Sequence, residues 1–202
     1  MEVKLSHITK INRIPIDGHV WLDRFTVRNL EIFHPNNFEG KCLIDVIDNT
    51  ISPMGGRLLK RWLALPSTDK DLIFQRHNIV DHFISEDEHR NFVCELLSSL
   101  SDIERLVSKI ATKKITPREL YNLKESLNTI KPLKNKLKKT SCKDLNKLIN
   151  SLSSCEDFIK IIDKTLSENP PVNINKGNSI SSEFSNELKE NLGKNFAYKL
   201  AI

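Results

Sequence analysis

"TPRELYNLKESLNTIKPLKNKL", residues 116–137, decides the fold. Thr116 and Glu119 stand three apart, the spacing of a capping box, in which a hydroxyl and a carboxylate satisfy the first free N–H groups of a helix. Pro117 occupies the first helical position, where its missing N–H costs nothing. Leu120, Leu123, Leu127, Ile130, Leu133 and Leu137 then recur every three or four residues. That period lays one apolar face along a helix and resembles a coiled-coil seam. Pro132 interrupts it, because its ring clashes with the carbonyl four residues back. The spacing predicts two helical parts within 117–139.

The same period extends outward in both directions. Upstream, Leu72, Arg76, Ile79, Val80 and Phe83 make one stripe, and Phe92, Val93, Leu96, Leu97 and Leu100 a second. "SDIE" at 101–104 is another capping box, followed by Ile103, Leu106, Val107 and Ile110. Downstream come Leu145, Leu148, Ile149 and Leu152, then Phe158, Ile162 and Leu166. "ENPPVNINKGNSI" (168–180) stops the helical pattern, with Val172 and Ile174 placed for a short strand. Phe184, Leu188, Leu192 and Phe196 begin a last helix, which reaches the chain end without a capping glycine and so reads as cut there.

Nearer the start, residues 1–19 alternate loosely and read as an extended arm. Val20, Trp21 and Leu22 form a short run expected to be buried, and Phe25, Val27, Leu30, Ile32 and Phe33 continue it. "HPNNFEGK" (34–41) is a loop by its turn residues, and Leu43, Val46 and Ile47 mark one or two helical turns. The expected architecture is all-α: an extended arm at 1–19, a multi-helix body at 20–180, and the start of a long helix at 181–202. Only 6 glycines in 202 residues agree with it.

The chain is 39% hydrophobic and 28% charged, which suffices for one or two cores. It has no run of eighteen apolar residues to span a membrane, and "MEVKLSHITK" lacks an apolar signal core. Cys42, Cys94, Cys142 and Cys155 are scattered, with no C-x-x-C pair, and read as reduced thiols in a cytoplasm. A net charge of +5 permits contact with nucleic acid without requiring it.

"ISPMGGRLLKRWLALP" (51–66) raises the question of function. Ser52 is placed to cap a helix, with Pro53 first inside it, yet Gly55 and Gly56 follow, each unfavourable by roughly 1 kcal/mol relative to alanine. Glycines at a helix start can cradle a phosphate or let another backbone come close. A phosphate loop needs G-x-x-x-x-G-K-[ST] after a buried strand, and neither the Lys-Ser/Thr pair nor the strand is here. The expectation is therefore a tightly packed joint formed by Ser52, Pro53, Gly55 and Trp62. His77, Asp81 and His82 are near enough on one helix to invite a metal reading, but they lie opposite the Ile79/Phe83 stripe and read as a solvated face. No nucleophile–base grouping can be assembled, so no catalytic, cofactor or metal residue is expected.

One charge cluster remains. Lys131, Lys134, Lys136, Lys138, Lys139, Lys143 and Lys147 are met in sequence only by Asp144. Lys134, Lys138, Lys139 and Lys143 are the candidates for a weak phosphate contact, which salt would dissolve. No aromatic side chains are interleaved for stacking, so a solvated helix end is the preferred reading.

Five blocks together resemble one family. "WLDRFTVRNLEIF" (21–33), "LIDVIDNTISPMGGRLLKRWLALP" (43–66), "SDIERLVSKI" (101–110), "TPRELYNLKESL" (116–127) and "ENPPVNINKG" (168–177) are similar, in order, to the central region of the MutS mismatch-repair ATPases. The family pattern near T-P-M-G-x-R-L-L puts Ser52 in place of threonine and Gly56 at the variable position. After "NPPV" the family usually carries a double glycine and a later one, where this chain has only Gly177, and Ser67 stands where leucine is common.

The resemblance implies a helical core or lever domain, without catalysis of its own, linking an ATPase domain to a DNA clamp. It further implies ATP and magnesium for the intact protein, mismatched double-stranded DNA as its ligand, self-association as a dimer, and a MutL-type partner. The mismatch-reading residues, the phosphate loop and the clamp are expected outside these 202 residues. Two alternatives stand beside it: a piece of a MutS-like protein acting on recombination or branched DNA, and a free-standing basic helical adaptor.

Overall fold

The structure is a computed structural model and describes residues 18–37, 39–172, 177, 179–181 and 184. Among the described residues it is all-α, with ten helices: α1 Arg24–Asn29, α2 Leu43–Ile47, α3 Pro53–Ala64, α4 Lys70–Ser85, α5 Asp87–Ser99, α6 Ile103–Ala111, α7 Pro117–Asn128, α8 Ile130–Leu137, α9 Lys143–Ser151 and α10 Glu156–Thr165. Extended pairing among them amounts to two isolated bridges, His19 with Ser67 and Leu166 with Ile180. Apart from Gly18 and His19 the expected arm lies outside the described residues. So does the expected terminal helix, apart from Ser181 and Phe184.

Two compact units divide the chain. One takes its described residues from 18–49 and 57–77, the other from 50–56 and from Asn78 onward.

In the first unit, Asp23 caps α1, its Oδ1 accepting the Thr26 N–H at 2.6 Å. Ile32, Cys42 and Ile44 form the buried part. The connection between α1 and α2 is sewn to α2 by Leu43 N–H to Glu31 O at 2.8 Å and Ile44 N–H to Ile32 O at 3.0 Å. Asp45 takes the Cys42 thiol at 2.9 Å and the Cys42 N–H at 3.2 Å, and these two bonds hold its carboxyl below the usual carboxylate range. The run at 20–22 is not the buried one. Trp21 is 68% exposed and Phe25 77%, because Gly18–Val20 runs extended beside Pro66–Thr68, and the wall of this core comes from Ile32 and Ile44.

The second unit is organised around α7, which packs against α6, α8 and α10. The Thr116–Glu119 box forms as expected: Thr116 Oγ1 accepts the Glu119 N–H at 3.3 Å, and Glu119 Oε2 accepts the Thr116 N–H at 3.1 Å. Lys109, and then the Thr116 backbone, hold the Glu119 carboxyl below its ordinary range. In place of the other predicted box stands a single cap, one residue later. Asp102, not Ser101, caps α6 by accepting from Arg105 N–H at 3.2 Å, while the Ser101 N–H goes to Ser126 Oγ at 3.0 Å. A carboxylate is the stronger acceptor at a helix start, and Ser126 offers serine another partner.

The leucine seam divides as Pro132 requires. α7 ends at Asn128, Thr129 separates it from α8, and Pro132 lies inside the first turn of α8. Leu123 and Leu127 join Leu106 in one buried cluster, and Leu137, Leu145 and Ile149 make a second with Ile79, Phe83, Val93 and Leu133 around it. Val80, Leu148 and Phe158 fall on the exposed sides of their helices, so the predicted stripes are wider than the buried ones. At the end of the described region Val172 is exposed in a bend. The pairing described there is Leu166 with Ile180; Ile174, the other residue of the expected strand, lies outside the described residues.

Candidate functional site

The start of α3 lies wholly in the second unit. Ser52 Oγ accepts the Gly55 N–H at 3.1 Å, and Ser52 O accepts the Gly56 N–H at 3.1 Å, so serine caps and Pro53 is first inside. A Cβ added to Gly55 would lie 3.2 Å from Ser52 Oγ, 3.4 Å from Thr50 Cβ and 3.7 Å from Thr50 Cγ2. The sequence placed a neighbouring backbone at this glycine. The atoms nearest to it are those of the cap itself and of the Thr50 side chain. In the first unit, Trp62 carries the Arg76 guanidinium 3.9 Å from its ring centroid, a cation–π contact on a half-exposed indole.

The lysine run is less free than the sequence implied. Lys134 Nζ donates to Leu152 O at 2.6 Å and so caps the last turn of α9. Lys136 pairs with Glu88, whose carboxyl it holds below the ordinary range. Lys131 lies 4.0 Å from Glu156 and Lys147 3.2 Å from Asp144. The lysines therefore meet Glu88 and Glu156 as well as Asp144, from helices too distant in sequence to be counted there. Lys138, Lys139 and Lys143 are exposed and make no ion pair among the described residues. They are what remains of the phosphate candidates.

A cleft of about 480 Å³ opens beside them, lined by Asn78, Asp81, His82, Ser85, Glu86, Ser141, Cys142, Lys143 and Asp144. Asn78 Nδ2 donates to Asp144 Oδ2 at 2.9 Å, and this bond, with Lys147, holds the Asp144 carboxyl below its ordinary range. His82 departs from the expected solvated face: it is only 8% exposed, while His77 and Asp81 are exposed as predicted. No three histidine, cysteine or acidic side chains converge as a metal site among the described residues. Nor does any helix among them have the length and apolarity to cross a membrane. The arrangement offers caps, ion pairs and packing.

The family model described as MutS domain III matches residues 25–201. The chain belongs to the MutS domain III family. It is 46% identical over 196 residues to the DNA mismatch repair protein MutS of Christiangramia forsetii, covering 97% of this chain and 22% of that protein. It is 45% identical over 187 residues to the protein of the same name from Flavobacterium psychrophilum, and 46% identical over 187 residues to that of Flavobacterium johnsoniae. In both cases the match covers 93% of this chain and 22% of the relative. The chain thus spans about a fifth of the length of these relatives. Within MutS domain III, the residues singled out by sequence fall into two separate settings. Ser52, Pro53 and Gly55 form one cap in the second unit, and Trp62 packs with Arg76 in the first.

Proposed function

We propose that this MutS domain III is the non-catalytic lever of a mismatch-repair ATPase, coupling nucleotide state at one end of the protein to the grip on DNA at the other. The match over residues 25–201 carries the reading. A lever transmits motion only if its helices resist bending and its junctions are close-packed. The buried leucine seam of α7 and α8, the box at Thr116 and the tight cap at Gly55 support that role. The exposed Trp21 and Phe25 also fit a domain that packs against others.

On this reading ATP and magnesium bind elsewhere in the polypeptide, and mismatched duplex DNA, a second copy and a MutL-type partner engage the intact protein in the cytoplasm. This domain itself neither binds nor hydrolyses ATP.

The test uses the 202-residue chain. Calorimetry is expected to give no saturable ATP binding at micromolar concentration. Duplex DNA is expected to bind weakly through Lys138, Lys139 and Lys143, equally with and without a mismatch. Three phosphate contacts give a log–log salt slope of roughly −2.7, so binding fades at moderate salt. A gel-shift preference for mismatched duplex, or saturable ATP binding, would contradict the assignment.

A further inference from the structure

Glu31 turns the chain just past α1: its backbone is left-handed, with φ 47°, and the loop after it comes back along the helix. Glu31 Oε1 accepts the Asn36 N–H at 2.9 Å, and Arg28 O accepts from Asn36 Nδ2 at 3.5 Å. Between helix and loop lies a cleft of about 360 Å³, lined by Arg24, Val27 and Arg28 from α1 and by residues 33–36 from the loop. Arg24 and Arg28 stand four apart on one face of α1, where like charges oppose each other. Both are exposed, and neither makes an ion pair among the described residues. Asp23, Glu31 and Asp45, in the same unit, are engaged elsewhere, by the Thr26 N–H, the Asn36 N–H and Cys42. Two guanidinium forks without a carboxylate suit an oxyanion with oxygens to share between them.

The surroundings select its source. Val27, Phe33 and Pro35 are half-buried and give the cleft an apolar lining. Phe25, next to Arg24, and Trp21, just ahead of the cap, leave most of their rings to solvent. Arginine beside exposed aromatic side chains is the make-up of a protein–protein contact, whose centre is rich in these types. A phosphodiester backbone presents charge to the arginines and leaves such rings in water. The matched part is 22% of the Christiangramia forsetii MutS, so in an intact protein of that kind most of the surface within reach belongs to the same polypeptide.

We propose that the cleft between α1 and residues 33–36 is a docking site for an acidic side chain on another domain of the same polypeptide. Its carboxylate is held by Arg24 and Arg28, and its apolar neighbours meet Val27, Phe33 and Pro35. The proposal rests on the lever reading only in placing this domain within a larger MutS-type protein. Docking there needs neither nucleotide nor DNA.

The experiment is arginine footprinting with phenylglyoxal, read by mass spectrometry. It compares the 202-residue chain with a chimera carrying that chain in place of its counterpart in the intact Christiangramia forsetii MutS. Arg24 and Arg28 are expected to react freely in the isolated chain. In the chimera, without nucleotide or DNA, their reaction is expected to slow by about tenfold or more, because surfaces in one polypeptide meet at high effective concentration. A second arm places Arg28→Lys in the chimera. A carbodiimide then condenses that amine with a carboxylate touching it, and the amide identifies the partner by mass. The expected product joins position 28 to an aspartate or glutamate outside these 202 residues. Equal reactivity of Arg24 and Arg28 in chain and chimera would overturn the proposal. So would the absence of such an amide, or protection that appears only when duplex DNA is added, which would assign the cleft to phosphates. The ATP response of DNA affinity tests the lever separately, so either reading can fail alone.

Discussion

Truncation of Leu123 to alanine is expected to destabilise the chain by about 2–5 kcal/mol, read as a fall in the urea midpoint at unchanged slope. Leu123 is only 2% exposed and sits in the middle of α7, with Leu106 and Leu127 in its cluster and Leu120, Ile130 and Ile159 packed around it. Removing three carbons there forfeits their transfer energy and leaves a cavity that helices on three sides cannot close. Leu148→Ala is the comparison. Leu148 has the same helical period in sequence, but half of it faces solvent, so its loss is expected within about 0.5 kcal/mol. Similar midpoints for the two variants would mean that the buried seam does not run along α7.

The second large effect is expected at Gly55. Valine there brings a branched Cβ to 3.2 Å from Ser52 Oγ and 3.4 Å from Thr50 Cβ. Either the serine hydroxyl moves and the cap on the Gly55 N–H is lost, or the first turn of α3 shifts. The expected cost is about 1–3 kcal/mol, the range of overpacking. Gly56 donates to Ser52 O as an ordinary helical residue, so Gly56→Ala is expected to be neutral or to stabilise by about 0.4–1 kcal/mol through the unfolded chain. Urea midpoints of the two variants decide it. A harmless Gly55→Val, or a more damaging Gly56→Ala, would remove the steric account of this stretch.

Helix-forming order was legible because it rests on local rules. The Thr116–Glu119 box, the proline at 117 and the break ahead of Pro132 each depend on residues within four positions, and each stands in the structure. Which apolar residues are covered depends on partners distant in sequence, and there the reading slipped. Trp21 belongs to an apolar run and Val80 carries the right period, yet both face out, while His82 faces in, where Thr140, fifty-eight residues away, meets it. The lysine run misled for the same reason. Glu88 and Glu156, which neutralise two of its members, are invisible to any window along the chain. Among the described residues Glu31, Lys113 and Cys155 are left-handed without the glycine or asparagine that would signal it. At the candidate site the cap was readable, whereas the identity of the atoms crowding Gly55 was not.

The lever account is tested most directly in an intact relative. Residues 25–181 of this chain replace their counterparts in the Christiangramia forsetii MutS, and the ATP-dependent change in affinity for mismatched duplex is measured by titration with and without nucleotide. The chimera is expected to keep that change, within the roughly 5–150-fold span typical of coupling between sites. Three glycines inserted after Thr129, between α7 and α8, are expected to abolish it while ATP and DNA each still bind. A glycine-inserted chimera whose DNA affinity responds to ATP as fully as the parent would contradict the claim that these helices carry the motion.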